Sequence, residues 1–268
     1  TSAPAGRCTR TVTARTTHPH VRQMIADREL ETWLVVDMSA SLDFGTAGCE
    51  KRDLAVAAAA AITYLNSGGG NRIGAIIANG DQIVRVPAKS GRQHEQSLLR
   101  AIATSPRAPL GTRGDLAAAI DALRRPERRR GMAVVISDFL GPITWMRPLR
   151  AIAARHEVLG VGGSDVTRLV GGHGHRHLGV LDGERSAESA ALVRVREVDE
   201  SGVTREFTID EQLRDDFARA ATAHHAEVAR TLRRCGAPLM TLRTDRDWIS
   251  DIVRFVASRR RGALAGSQ

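Results

Sequence analysis

Trp33-Leu34-Val35-Val36-Asp37-Met38-Ser39-Ala40-Ser41 decides the fold. Four consecutive apolar residues closed by an acid and hydroxyls read as a strand buried on both faces, because a half-exposed strand would alternate. Such a strand needs cover on both sides, and the flanking sequence supplies it. Lys51 to Leu65 reads as an Ala-rich helix, stopped by Asn66-Ser67-Gly68-Gly69-Gly70. Arg72 to Ala78 reads as a strand, and Asn79-Gly80 as a hairpin turn into a short strand, Gln82 to Val86. Gln93 to Thr104 reads as a helix and Pro106 to Gly111 as loop. Asp115 suits the N-cap of a helix running to Leu123.

Met132-Ala133-Val134-Val135-Ile136 is a second buried strand, ending at Ser137-Asp138. A helix from Ile143 or Trp145 to Arg155 and a strand from Glu157 to Val161 follow. Strands alternating with helices of this length predict a three-layer α/β/α domain around a mostly parallel sheet. Gly162 to Ser201 is rich in Gly, His and Arg and has no steady period. Beyond it come a strand, Thr204 to Ile209, a long amphipathic helix, Asp210 to Cys235, and Gly236 as its C-cap. A strand, Leu239 to Leu242, and a helix, Trp248 to Arg260, end the pattern. The expected organisation is an N-terminal extension over 1–28, a core over 29–161, an irregular insert over 162–201, and 202–268 completing the same domain. The chain starts at Thr1, and a truncated extension is expected.

Length and composition agree with one large domain or one domain with an appendage. The 268 residues are 42% apolar but 3% aromatic, so the core is built from Ala, Val, Leu and Ile. No apolar run reaches the roughly 18 residues of a membrane helix, and no signal peptide is visible. Membrane insertion is not expected. The three cysteines, Cys8, Cys49 and Cys235, form no C-x-x-C, so the expected setting is reducing and cytoplasmic. The formal charge is +9, yet of 39 basic residues only Lys51 and Lys89 are Lys. This reads as Arg bias. The clusters Arg124, Arg125, Arg128 to Arg130 and Arg259 to Arg261 predict a basic surface. With few aromatics to stack bases, they do not predict a nucleic-acid site.

Ligand sites in parallel sheets lie beyond the carboxyl ends of the strands. Two strands end there in an acid beside hydroxyls: Asp37 with Ser39 and Ser41, and Ser137 with Asp138. Mg²⁺ takes hard oxygen ligands in octahedral geometry. One carboxylate and two hydroxyls at alternate positions can line one side of such a shell. Asp138 can add to it directly or through water, which leaves a position for an acidic group from a partner.

The D-x-S-x-S element at Asp37, Ser39 and Ser41 resembles the start of the metal-ion-dependent adhesion site of von Willebrand factor A-type domains. The wider pattern resembles domain-of-unknown-function family 58 (DUF58). It comprises Thr13-Ala14-Arg15-Thr16, Pro19, Val21-Arg22, Arg28-Glu29, Trp33 to Ser41 with Phe44-Gly45, Leu116 to Ile120, Ser137-Asp138 and Asp245-x-Asp247-Trp248. The resemblance implies a von Willebrand A-like fold and a non-enzymatic adaptor of a MoxR-type AAA+ ATPase. It further implies Mg²⁺ at Asp37, Ser39, Ser41 and Asp138, with Thr112, Gly114 and Asp115 in the partner-binding loop.

The match departs in three places. Gly114 stands where the adhesion site carries a Thr, with Thr112 two residues early. An acidic, Trp-containing lead-in is replaced by Pro4 to Arg10. After Val161 the pattern is lost until Gly202, which suggests an insertion or a reading-frame change.

Other candidates are weaker. His173, His175 and His177 alternate but have no fourth ligand. His224 and His225 point to different helix faces and read as partly exposed. Cys49 reads as a plain thiol. No G-x-S-x-G elbow supports Ser39 or Ser41 as a nucleophile, and Gly68 to Gly70 is no phosphate loop. The expected function is protein binding at the loops of Asp37, Thr112 to Asp115 and Asp138. The alternatives are a Mg²⁺-dependent phosphohydrolase using Asp37 and Asp138, and an Arg-rich nucleic-acid module.

Overall fold

The computed structural model describes residues 30–43, 49–67, 70–80, 82–109, 114–124, 131–164, 177–180, 193–198, 204–209, 211–244 and 247–255. Strand β1, Glu31–Asp37, lies at the centre and is buried along its whole length. It pairs in parallel with β2, Arg72–Asn79, on one edge and with β4, Met132–Ser137, on the other. The antiparallel strand β3, Gln82–Lys89, extends the sheet beyond β2. On the far side β5, Glu157–Ser164, and β9, Leu239–Arg243, follow in parallel. The order is therefore β3-β2-β1-β4-β5-β9. This is the mostly parallel sheet with an antiparallel edge that the sequence predicts.

The pleat of β1 divides the core. Leu34 and Val36 face α1, Lys51–Asn66, and α2, Arg92–Ala103, in a cluster with Leu54, Ala58, Ile62, Leu98 and Ile102. Trp33 and Val35 face α3, Leu116–Arg124, α4, Met146–Ala153, and α5, Glu211–Arg234. Ile120, Leu123, Leu149, Ile152 and Leu232 close that side. Residues 248–255 form a further helix, α6, which places Ile252 against the first cluster. Helices on both faces explain why β1 reads as an unbroken apolar run.

Several boundaries differ from expectation. β3 continues to Lys89 because it stays paired with β2 as far as Ile73↔Lys89. β5 runs to Ser164, three residues beyond Val161, because β9 pairs along it as far as Ser164↔Arg243. Within the stretch read as irregular lie β6, His177–Val180, and β7, Val193–Val198. They form a separate antiparallel sheet with β8, Thr204–Ile209, so β8 does not join the main sheet. Arg125 to Arg130, Arg259 to Arg261, Cys8, Thr112, His173 and His175 lie outside the described residues, as does the N-terminal extension.

Gly74 sits where the β2–β3 register shifts, between Ile73 and Ala75. A Cβ there would lie 2.7 Å from the Trp33 ring and 2.9 Å from the backbone nitrogen of Ala88. Gly74→Ala should lower stability by about 1–3 kcal/mol in urea unfolding, the range for overpacking. Gly141→Ala meets no atom within 4 Å and should stay within about 0.5 kcal/mol. Equal effects would contradict this packing.

Candidate functional site

β1 and β4 are parallel neighbours in register, with Val36 beside Ile136. Their carboxyl ends therefore bring Asp37 and Ser137 together across 100 residues of sequence, and Ser137 Oγ donates to Asp37 Oδ2 at 2.7 Å. The other oxygen, Oδ1, accepts the Ser39 backbone N–H at 3.0 Å, which folds the loop back on the strand. Ser39 Oγ and Ser41 Oγ lie 3.1 Å apart. Met38 N–H donates to the Ala78 carbonyl at 2.7 Å and ties the same loop to β2.

Asp138 is held from two sides. Lys51 Nζ, at the first residue of α1, reaches Asp138 Oδ2 at 2.8 Å, and both side chains are buried. The Leu140 N–H reaches Oδ1 at 3.2 Å. Phe139, between them, has φ +54°, an uncommon conformation for a residue with a side chain. Three contacts hold it. Its N–H donates to Ser137 Oγ at 3.0 Å, its carbonyl accepts from His224 Nε2 at 2.9 Å, and its ring packs edge-on to Trp145 at 5.3 Å.

A second brace holds the neighbouring loop. Arg52 is buried, pairs with Asp43, and donates to the carbonyls of Ser105 at 2.8 Å, Pro106 at 3.3 Å and Met38 at 3.4 Å. Asp115 is exposed and caps α3, its Oδ1 accepting the Ala118 N–H at 2.8 Å. Gly114 lies against the floor of the site. A Cβ on it would stand 2.7 Å from Ser39 Cβ and 3.1 Å from both Asp37 Oδ1 and Ser39 Oγ.

Sequence reasoning placed Asp37, Ser39, Ser41, Gly114 and Asp138 at one edge, and the structure brings them together. It missed Lys51, Arg52 and His224. His224, read as a partly exposed helix residue, contacts the loop after β4. Nothing in its own segment signals this contact, which spans 85 residues. Lys51 did leave a signal, as one of two lysines in an Arg-rich chain and as a cation in a first helical turn.

The donor set implied for Mg²⁺ does not fit these side chains. Position 114 offers no hydroxyl, and Asp138 is paired with an ammonium. Two cavities border the edge, each ≈ 10 Å³, one beside Lys51 and Ser137 and the other beside Asp138 and Phe139. Among the described residues no cluster of three or more His, Cys, Asp or Glu could hold a metal ion.

Burial holds the Asp37 carboxyl above its usual range, and the negative charge of Asp138 raises it further, against the hydrogen bonds from Ser39 and Ser137. The folded state thus binds a proton more tightly than the unfolded state. Above the ordinary carboxylate pKa of 3.8, stability falls as pH rises through the raised value. Asp37→Asn removes the charge and keeps the shape. It should melt at or above the wild-type temperature at pH 7, with the difference vanishing toward pH 4. A variant several degrees less stable at pH 7 would contradict this electrostatic account.

Residues 10–227 match the family described as "Protein of unknown function DUF58". The uncharacterised protein Rv1480 of Mycobacterium tuberculosis is 73% identical over 258 residues, covering 96% of this chain and 76% of its own. Among solved structures, the conserved hypothetical protein BatB of Bacteroides thetaiotaomicron aligns with a TM-score of 0.45. It is 15% identical, and the alignment covers 88% of this chain and 99% of that one. The SpRpn10 VWA domain aligns with a TM-score of 0.43 and 12% identity, over 84% and 94% of the two chains. Matched over most of its length by the family pattern, the chain belongs to the DUF58 family.

Proposed function

We propose that this chain is a non-enzymatic protein-interaction domain that engages its partner at the carboxyl edge of the sheet. One observation carries this. The edge combines a rigid buried base, in which Asp37 and Asp138 are held by hydrogen bonds, with an accessible rim. Asp115 and Leu140 stand on that rim, Leu140 being 44% exposed beside buried Asp138, and Ser41 is partly exposed. An apolar side chain on a preorganised loop loses little entropy on docking. The partner proposed is a MoxR-type AAA+ ATPase, on the strength of the family resemblance. Loops 112–115 and 138–140 would meet it.

No observation favours a hydrolase. Ser39 Oγ lies 3.1 Å from Ser41 Oγ and beside the Asp37 carboxylate, whose oxygens are already held by hydrogen bonds from Ser137 and the Ser39 backbone. No helix of the described residues is long and apolar enough to cross a membrane.

Affinity capture from the native organism tests the proposal. The wild-type chain should retain an AAA+ ATPase, and Leu140→Asp should weaken retention about 10-fold or more while the melting temperature is kept. Capture of no ATPase would overturn the named partner. Retention unchanged by Leu140→Asp would move the binding surface elsewhere. Turnover of generic phosphoesters that Asp37→Ala abolishes would favour the enzyme instead.

A further inference from the structure

We propose that Lys51 is the resident cation of this edge, so that the base of the site is complete without a divalent ion. The proposal deepens the partner-binding reading by naming the cation that the edge uses. It is tested on the chain alone, so the two can fail separately.

The position of Lys51 is the first argument. It is the first residue of α1, where the helix dipole disfavours a cation, and it is 6% exposed. A lysine held there against both dipole and burial needs a specific partner, and Asp138 Oδ2 at 2.8 Å supplies one. Residue choice is the second. The next residue, Arg52, spreads its guanidinium over three carbonyls and Asp43. Asp138 instead takes the compact point charge of an ammonium, one of only two in the chain. The third is the state of the implied metal ligands. Leu140 N–H donates to the second oxygen of Asp138, and Gly114 lies against Asp37 and Ser39 while offering no hydroxyl of its own.

An ammonium and a divalent ion do the same electrostatic work here, holding the carboxylate at the end of β4 in place. They differ in consequence. An internal lysine cannot be chelated away, so the edge stays formed at any Mg²⁺ concentration.

The experiment is a thermal-unfolding series on the full chain in EDTA, then in millimolar MgCl₂ and MnCl₂. The wild-type melting temperature should move by less than about 1 °C, because a bound ion at 100 times its Kd would raise it by several degrees. Lys51→Met should melt about 10 °C lower, since it leaves a buried carboxylate unpaired. The double variant Lys51→Met/Asp138→Asn should regain part of that loss. A wild-type rise above about 3 °C with either ion, abolished by Asp37→Ala, would overturn the proposal. So would a Lys51→Met chain as stable as wild type. If Lys51→Met alone does not fold, the wild-type titration decides without it.

Discussion

Strand Glu31–Asp37 is enclosed on every side, by parallel neighbours on both edges and helices on both faces. Its backbone groups pair along β2 and β4 and its side chains enter two separate cores, so nothing about it can slide. A one-residue slip would exchange Leu34 and Val36 with Trp33 and Val35, two sets of different volume. The register of β4 follows from that of β1, and with it the meeting of Asp37 with Ser137. The site is thus a by-product of core packing before it is a piece of chemistry.

Charge sets the character of that site. Two carboxylates, Asp37 and Asp138, are buried near each other, the charge of Asp138 adds to the burial that raises Asp37, and the structure places one ammonium on Asp138. The pairing stabilises Asp138 and leaves Asp37 with hydrogen bonds alone. A buried carboxylate held only by neutral donors costs free energy, which the surrounding fold must absorb. Such unfavourable arrangements persist where structure over-determines them, and the φ of +54° at Phe139 beside Asp138 belongs to the same class.

Much of this was legible in the residues. The apolar runs at Trp33 to Val36 and Met132 to Ile136 announce buried strands, and alternation with helices announces a parallel sheet. From those two facts it follows that Asp37 and Ser137-Asp138 share one edge of the sheet; that they are neighbours follows from the pairing of β1 with β4. Side-chain partners across long sequence separations do not follow. Lys51 reaching Asp138 spans 87 residues, and His224 reaching Phe139 spans 85. Each depends on how a helix lies on the sheet, which periodicity does not specify. β6 and β7 were hidden for a different reason: β7 pairs with β6 on one side and β8 on the other, outside the sheet whose pattern guided the reading. Gly114 was legible as a missing hydroxyl but not as a contact, because only the structure shows its backbone pressed against Ser39.

The central claim is that a lysine, not a metal ion, completes the carboxyl edge. Crystals of the full chain grown with manganese and measured at an anomalous wavelength test it most directly. The account predicts Lys51 Nζ on Asp138 and no anomalous peak among Asp37, Ser39 and Ser41. A manganese peak bound by those oxygens, with Lys51 displaced from Asp138, would contradict it.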